Sequence, residues 1–239
     1  MCIRDRFVYR VHDQPDQEKL KNLQTVVKRL GYNLKLSSNE LNDSLNSLLK
    51  NAFGKNEQNL IDTLMIRSMS KAEYTTKNIG HYGLSFENYT HFTSPIRRYP
   101  DVMVHRLIQA EIEGEKIKTD ETESLCKHST HMEILATKAE RDSIKLMQIK
   151  FMKDKEGKTF DAVISGVVTR GIFVEVVENK CEGLVKAKDL QGDFFVHDEK
   201  NHRFIGEKTG KKYQLGDKTR VMLIKADQIK KRLDFQVLT

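Results

Sequence analysis

The sequence predicts an α+β chain in which a mainly helical part is followed by a small β-barrel. Up to about residue 153, apolar residues recur every three or four positions, which is the period of amphipathic helices. After the charged run KDKEGK at 153–158, the pattern changes to short alternating segments separated by glycines. Short strands joined by glycine turns are typical of a small barrel. We therefore expect a domain boundary between residues 153 and 154.

The helical part is expected to contain one strand near its start, five helices and, from a weak alternation, a second strand at 71–75. Phe7, Tyr9 and Val11 alternate as in a strand. Helix start and stop residues, such as Pro15-Asp16 and Gly31, set the expected limits of the helices. These limits are about 15–31, 38–54, 57–68, 100–112 and 120–153, the last with Glu123 as a capping-box partner of Asp120. The apolar stripes are expected to include Leu20, Leu23, Val27, Leu41, Leu45, Leu48, Phe53, Leu60, Leu64, Val104, His105, Ile108, Ile112, Leu125, His128, Met132, Leu135, Leu146 and Ile149.

The barrel part is expected to contain six short strands. They are predicted at 159–167, 172–177, 183–185, 196–204, 218–225 and 232–238.

Composition limits the classes of function. The 239 residues include 41 Lys and Arg against 34 Asp and Glu, a net charge of +7 that suits a polyanionic partner without proving one. No run approaches the ~18 consecutive apolar residues of a membrane span. Cys2, Cys126 and Cys181 are far apart and lack zinc-binding spacing, so we expect free thiols in a reducing compartment. The expected location is the cytoplasm, with no membrane association.

The densest group of polar and aromatic residues lies between residues 80 and 107. Thr93-Ser94-Pro95 predicts a loop with two hydroxyls, and Arg97 and Arg98 directly precede the helix that Pro100 opens. Guanidinium groups, hydroxyls and a helix N-terminus together form a phosphate-binding arrangement.

The residues of this stretch also allow two other interpretations. Arg98 or Arg106 can pair with Asp101 and simply fix the helix in place. The histidines in the stretch suggest zinc by residue type, but their spacing fits no usual ligand pair. They are His81, His91 and His105.

Residues 91–107, HFTSPIRRYPDVMVHRL, closely resemble the signature near the end of the catalytic domain of the RNase II/RNase R family. These proteins are processive 3′-to-5′ exoribonucleases, and the chain looks RNase R-like. The resemblance begins at Phe7 with FVYRVHDQP, well inside the family's catalytic (RNB) domain. Residues 1–153 are therefore expected to be the C-terminal portion of that domain. Met1–Arg6 then looks like a doubtful start on a truncated chain, with a genuine divergent N-terminus as the alternative.

The resemblance implies roles for individual residues of this part. It places Arg97 at the scissile phosphate as a catalytic residue. It places Thr93, Ser94 and Arg98 on neighbouring phosphates, with Tyr82 also on the RNA. The segment AERD at 139–142 matches another family element and implies that Glu140 lies near the RNA path. From the residues alone, Glu140 is equally an ordinary solvated helix charge.

Residues 157–190 resemble the OB-fold RNA-binding domain of the ribosomal-protein-S-one type, which follows the catalytic domain in the same family. The resemblance implies a five-stranded OB barrel over 154–239. Aromatic rings in such folds stack on bases while lysines follow the phosphates. The residues implied to face RNA are Phe160, Phe173, Lys186, Arg220 and Lys225. Phe160 or Phe173 filling the barrel is the alternative, and the family often has histidine where Lys186 stands.

The family implies hydrolysis of single-stranded RNA from its 3′ end to nucleoside 5′-monophosphates, with Mg²⁺ and with no obligate protein partner. Magnesium requires clustered carboxylates, and this sequence contains no such cluster. We therefore expect the metal ligands to lie upstream of Phe7 and this chain alone to be inactive. The alternatives are a stand-alone, non-catalytic RNA-binding protein and, less specifically, a basic structural protein without an RNA role.

Overall fold

A computed structural model describes residues 7–37, 40–55, 57–115 and 121–238. These residues form two compact units. The first takes in residues 7–19 and those between 68 and 140, and the second takes in those between 20 and 67 and those from 141 onward. The doubtful start Met1–Arg6, together with Cys2, and the predicted helix starts at Ser38 and Asp120 lie outside the described residues. The division between residues 153 and 154 stays a prediction.

Five helices were predicted, and five are present among the described residues. They are α1 (Gln17–Arg29), α2 (Leu41–Ala52), α3 (Gln58–Ser68), α4 (Tyr99–Glu113) and α5 (Thr122–Met152). Asp16 caps α1, because its Oδ1 accepts hydrogen bonds from the backbone N–H groups of Glu18 (3.0 Å) and Lys19 (3.2 Å). The Glu123 carboxylate accepts hydrogen bonds from Thr75 and Thr76, so it joins the first turn of α5 to residues 75 and 76.

The first unit contains a two-stranded antiparallel sheet of β1 (Tyr9–Val11) and β2 (Glu73–Thr75). Its core is small and mixes residues from the sheet, α4 and α5. The buried members are Val8, Tyr74, Met103, Val104, Leu107 and Cys126. The strand predicted near the start of the chain is therefore confirmed, and this core determines how α4 is oriented.

The predicted stripes of α4 and α5 are partly wrong. α4 buries Met103, Val104 and Leu107, whereas the predicted Ile112 is 74% exposed. In α5, His128, Met132 and Leu135 are exposed although all three were assigned to the inward face, and the predicted His105 of α4 is also exposed. In the first unit α5 buries Cys126 and Ser129 instead, and in the second unit it buries Ile149 and Met152, so no single stripe applies to its whole length.

The helical portion of the second unit follows its predicted stripes closely. Its buried residues include Leu20, Leu23, Val27, Leu41, Leu45, Leu48, Leu60, Ile61, Leu64 and Met65. Phe53 is the exception, because it is 78% exposed. α2 ends at Ala52, and Phe53 adopts an extended ψ of 129°, which takes its side chain out of the stripe.

A closed five-stranded barrel forms the rest of the second unit's core, as the OB-fold expectation requires. Its strands are β3 (Thr159–Val168), β4 (Gly171–Val176), β5 (Glu182–Lys186), β9 (Lys218–Asp227) and β10 (Arg232–Val237). The order around the barrel is β10-β5-β4-β3-β9, and β3 pairs with β9 to close it. All pairs are antiparallel except β10 with β5.

The strand predicted at 196–204 is wrong. That segment spans a hairpin of β6 (Phe195–Asp198) and β7 (Arg203–Gly206), joined by a 3₁₀ turn at Glu199–Asn201. With β8 (Lys212–Gln214) the hairpin forms a separate three-stranded sheet between β5 and β9 in the chain. Phe195, Phe204 and Tyr213 of this sheet share the core of the barrel, which explains their apolar character.

No helix among the described residues is both long enough and apolar enough to cross a membrane.

Candidate nucleic-acid interface

The loop before α4 is a turn closed on Ser94. The Ser94 carbonyl oxygen accepts hydrogen bonds from the N–H groups of Arg97 (3.3 Å) and Arg98 (3.1 Å). The Ser94 N–H donates to Asp101 Oδ2 at 2.7 Å. Because Asp101 lies in the first turn of α4, this bond joins the loop to the helix.

Asp101 is fully buried and pairs with Arg98. Its Oδ2 accepts a hydrogen bond from Arg98 Nη2 at 2.9 Å, and the Arg98 side chain is 21% exposed. Asp101 Oδ1 and Arg98 Nε are buried without a hydrogen-bond partner in the part of the chain that the structure describes. The carboxylate therefore occupies the positive end of α4 that we expected to bind a phosphate. Arg98 therefore pairs with Asp101 and fixes the helix in place, as the alternative interpretation holds, and its contact with RNA stays a prediction.

Arg97 differs from its neighbour. Its side chain is exposed, and its Nη2 lies 3.5 Å from Ser94 Oγ. No carboxylate among the described residues lies within ion-pair distance of it. Thr93, also exposed, precedes Ser94 in the same loop. Arg97 thus presents a guanidinium that no described anion neutralises, beside two hydroxyl-bearing residues.

Arg97 and Arg98 share a cavity of about 570 Å³ in the first unit. One wall is the start of α4, with Tyr99 and Pro100, and the other is one face of α5. The α5 residues on this wall are His128, Ser129, Met132, Glu133 and Ala136, and Tyr74 of β2 also lines the cavity.

Tyr74 connects this cavity to the core. Its ring lies 4.5 Å below the Arg10 guanidinium, which also makes a two-pronged pair with Glu133 at 2.6 and 3.0 Å. Its hydroxyl is hydrogen-bonded to His91 Nδ1 at 2.7 Å. Burial raises the pKa of Tyr74 and lowers the pKa of His91, so both side chains are neutral near pH 7. A cavity wall of neutral rings beside cations is suited to bases and phosphates together.

Tyr82 belongs to a different cluster of the same unit and does not line this cavity. His12 Nδ1 accepts a hydrogen bond from the Gly83 N–H at 2.9 Å, and the His12 ring lies 5.1 Å from that of His81. A Cβ at position 83 would lie 2.8 Å from His12 Nδ1, so this close approach requires glycine. The Tyr82 hydroxyl is buried without a partner among the described residues, and burial raises its pKa.

Glu140 is exposed on α5, one turn beyond Ala136. The helical period places it on the face of α5 that lines the Arg97 cavity. Its position is compatible both with an RNA contact and with a solvated helix charge.

The barrel residues predicted to bind RNA fall into two places. Phe173 alternates with the buried Ile172 and Val174, so it lies on the outer face of β4, directly across from Leu184. Beside it is a groove of about 550 Å³ lined by Lys186, Lys225 and neighbours. Lys186 Nζ lies 3.4 Å from Asp234 Oδ2, and Lys225 Nζ lies 3.6 Å from Asp227 Oδ2.

Phe160 and Arg220 are not part of this groove. Phe160 is half-buried and packs against the barrel core, as its alternative interpretation requires. Arg220 pairs with Asp161 at 3.5 Å and lines another cavity. It lies five residues from Lys225 on β9, a distance of about 16 Å along an extended strand. Neither position excludes RNA contact, which stays a prediction for both.

Sequence reasoning missed several residues that surround Arg97. Tyr74 and Glu133 were not assigned to any site, and His128 and Met132 were assigned to a core stripe. The signal for the helical residues was present as the i, i+4, i+5, i+8 spacing of 128, 132, 133 and 136, which puts the polar His128 and Glu133 on the same helix face as Met132 and Ala136.

Two family models match the chain. The RNB domain model matches residues 2–114, and the S1 RNA binding domain model matches residues 153–238. The first match begins at residue 2 and so includes most of the segment that the sequence interpretation set apart as a doubtful start.

Similar proteins align over nearly the whole chain. Ribonuclease R of Aquifex aeolicus is 40% identical over 97% of the chain, and Ribonuclease R 1 of Lactococcus lactis is 36% identical over the same share. The alignments cover 33% and 29% of those proteins, so the chain spans about a third of their length. The structure of Mycoplasma genitalium RNase R in complex with ribose methylated single-stranded RNA matches 98% of the chain and 38% of its own, with a TM-score of 0.89 and 28% identity. These findings confirm the resemblance: the chain is RNase R-like, with an RNB segment followed by an S1 domain.

Proposed function

We propose that this chain supplies the RNA-holding side of an RNase R-type exoribonuclease, which hydrolyses single-stranded RNA from its 3′ end to nucleoside 5′-monophosphates. The observation that carries the proposal is Arg97, an arginine without a carboxylate partner among the described residues, in a preformed cavity beside two hydroxyls. The single-stranded RNA in the Mycoplasma genitalium RNase R structure supports the substrate class.

Within this function, residues of the Arg97 cavity and of the loop before it have distinct physical tasks. The Arg97 guanidinium binds oxygens of the scissile phosphate and stabilises the negative charge that develops there during hydrolysis. Thr93 and Ser94 donate hydroxyl hydrogen bonds to the same or the next phosphate. Arg98, held by Asp101, contributes positive charge and keeps the loop in place. Tyr99, which is 45% exposed, provides a ring surface for a terminal base, and the buried Tyr74 supports the wall behind it.

The proposed reaction includes Mg²⁺ in the complete enzyme, but the described residues do not fit such an ion. No group of three or more His, Cys, Asp or Glu side chains gathers at one point in the described ranges. The acidic residues near Arg97 are already engaged, since Asp101 pairs with Arg98 and Glu133 pairs with Arg10. We therefore assign no step to the metal from this chain's residues and expect the chain by itself to be inactive.

The proposed location is the cytoplasm, and the proposed protein needs no obligate protein partner. Cys126 and Cys181 are buried free thiols, and burial raises the pKa of Cys126 to about 12, so both are inert rather than reactive. Unpaired structural thiols are characteristic of a reducing compartment.

The test is a chimera that joins this chain to the portion of Aquifex aeolicus ribonuclease R that the chain does not cover. We expect it to shorten labelled single-stranded RNA from the 3′ end and to release 5′-monophosphates, identified by chromatography. Arg97→Lys keeps the charge but loses the planar grip on phosphate, so the rate is expected to fall by about 10²–10³. Arg106→Lys, on an exposed arginine of α4 outside the cavity, is the matched control and should be neutral. A folded chimera that leaves RNA intact contradicts the proposal.

A further inference from the structure

A second basic cavity lies within the second unit, apart from the Lys186 groove. It measures about 1020 Å³ and is bordered by the segment between α2 and α3, the turn between β8 and β9, and the start of β9. Five exposed cations line it: Lys55, Lys211, Lys212, Lys218 and Arg220. Among the described residues, Asp217 supplies the only carboxylate in its lining. That carboxylate already accepts a hydrogen bond from the Gln214 N–H at 2.9 Å.

Backbone hydrogen bonds fix the turn at the floor of this cavity. The Gly216 N–H donates to the Ile164 carbonyl oxygen at 2.8 Å, and the Ile164 N–H donates to the Asp217 carbonyl oxygen at 2.9 Å. Gly216 has a φ of +92°, a left-handed conformation that favours glycine. The backbone that leads into Lys218 is therefore held in place, although the exposed lysine side chains themselves must still be ordered when an anion binds.

Tyr213 gives independent evidence for a ligand. Its side chain lines the cavity, is only 5% exposed and lies with its ring 5.2 Å from that of Phe195. Its hydroxyl is buried and has no hydrogen-bond partner among the described residues. A buried donor without an acceptor is destabilising, and an anion in the cavity supplies that acceptor once the neighbouring side chains, such as Lys211 over the Tyr213 ring, move aside.

The remaining contacts of the cavity favour a phosphate. The Arg220–Asp161 pair is exposed on both sides, so it is weak and exchanges readily for another anion. Gln58 and Asn59, the first residues of α3, bring the positive end of that helix to the same cavity. Lys218 and Arg220 lie two residues apart on β9, both exposed and on the same face of the strand. Ammonium, guanidinium and hydroxyl groups are all donors, which is what a phosphate requires.

We propose that this cavity is a second binding site for the phosphate groups of an RNA strand, distinct from the groove at Lys186 and Lys225. The identity of the ligand as RNA rests on the proposed function, whereas the anion site rests on the cavity itself. Two basic sites on one barrel would lengthen the stretch of RNA that the barrel holds.

The test measures the affinity of the whole chain for a fluorescent oligouridylate across a salt series. The double variant Lys212→Gln/Lys218→Gln should weaken binding on the order of tenfold near 0.1 M salt and lower the slope of log affinity against log salt by about 1.4, which is two contacts at about 0.7 each. The matched control is Lys230→Gln/Lys231→Gln, which removes the same charge from the exposed turn between β9 and β10. It should change both quantities much less. An equal effect of the two pairs overturns the proposal, because it indicates non-specific attraction.

Tyr213→Phe tests the site without changing charge. Removing one hydrogen bond should weaken oligouridylate binding about two- to tenfold, while Tm is unchanged or higher because an unpaired buried hydroxyl is lost. Unchanged affinity overturns the proposal.

Inorganic phosphate and adenosine monophosphate are the further probes. They should compete only at concentrations far above that of the oligouridylate, and competition as strong as that of RNA assigns the site to free phosphate compounds and overturns the RNA assignment. If the unsubstituted chain binds no RNA at all, the proposed function fails. If it binds RNA and only the Lys212/Lys218 and Tyr213 effects are missing, the second site alone fails.

Discussion

The Arg97 cavity and the Lys186 groove both present cations to solvent, but they do so in different ways. In the cavity, the buried Asp101 forms an ion pair with Arg98 and accepts a hydrogen bond from the Ser94 N–H. Arg97 has no anionic partner among the described residues. On the barrel, Lys186 lies within 4 Å of Asp234, and Lys225 within 4 Å of Asp227.

This difference indicates two kinds of phosphate recognition. A guanidinium in a fixed frame with no competing carboxylate can respond to charge at one phosphorus atom, which is what catalysis requires. Partly exposed lysine–carboxylate pairs contribute little energy and exchange readily for phosphates, so the barrel suits binding that is distributed and sensitive to salt. We therefore expect substitutions in the Arg97 cavity to affect the stability of the fold and the rate of hydrolysis, and substitutions on the barrel to affect the affinity for RNA.

The largest expected difference concerns activity. The chain alone, incubated with Mg²⁺ and end-labelled single-stranded RNA, should leave the RNA at full length, because its described residues gather no carboxylates for a metal. The measurement is a denaturing gel over a time course. Stepwise shortening from the 3′ end that EDTA abolishes, and that a mock purification lacks, would contradict this expectation.

Asp101→Asn tests the frame of the cavity. It leaves the partly buried Arg98 without its counter-charge, so the free energy of unfolding should fall by about 3–5 kcal/mol. Chemical denaturation measures the change, and Arg106→Gln on the exposed face of the same helix is the control. A change below about 1 kcal/mol would mean that the pair does not support the loop.

The sequence predicted those parts of the fold in which one pattern serves one partner. The stripes of α1 to α3 and the alternation of β3 and β4 are of this kind. The sequence-based prediction failed where one segment packs in two units or reverses direction. Met132 and Leu135 lie on α5, which contributes to two units. Glu199–Asn201 reverses the chain within a predicted strand.

The site was predictable only in outline. From the sequence either Arg98 or Arg106 could pair with Asp101. The structure shows that Arg98 does so, which leaves Arg97 without an anionic partner among the described residues. Tyr74 reaches the cavity from a strand about 25 residues away in the chain, and no local pattern encodes that proximity.

A pH dependence is expected from His91. Burial, and then the positive charges of Arg98 and Arg10, lower its pKa below 6.5, while Asp101 and Glu133 act in the opposite direction. The unfolded chain therefore binds a proton more readily than the folded one. The stabilising contribution is fully present above pH 6.5 and is lost as pH falls through the lowered pKa.

Thermal melts between pH 7.5 and 5 measure this dependence. His91→Asn should make the fall of Tm with decreasing pH shallower than in the unsubstituted chain, in which His81 and His202, both with lowered pKa, contribute in the same direction. An unchanged slope would show that His91 does not contribute.

The smallest expected effect is that of a single barrel lysine. Lys186→Gln should weaken single-stranded RNA binding only a few-fold and lower the salt slope by about 0.7. Lys158→Gln, an exposed lysine outside the groove, is the matched control. Equal slopes for the two variants would remove Lys186 from the RNA-binding surface.

The comparison is tested most directly by measuring the saturating single-turnover rate and the RNA affinity of the chimera, side by side, for Arg97→Lys and Lys186→Gln. The saturating rate reports stabilisation of the transition state, and the affinity reports binding of the ground state. We predict that Arg97→Lys lowers the saturating rate about 10²–10³-fold with little change in affinity. We predict that Lys186→Gln lowers affinity a few-fold with the saturating rate unchanged. An Arg97→Lys rate within about threefold of the parent, or a loss matched by a collapse in Tm, would contradict the account.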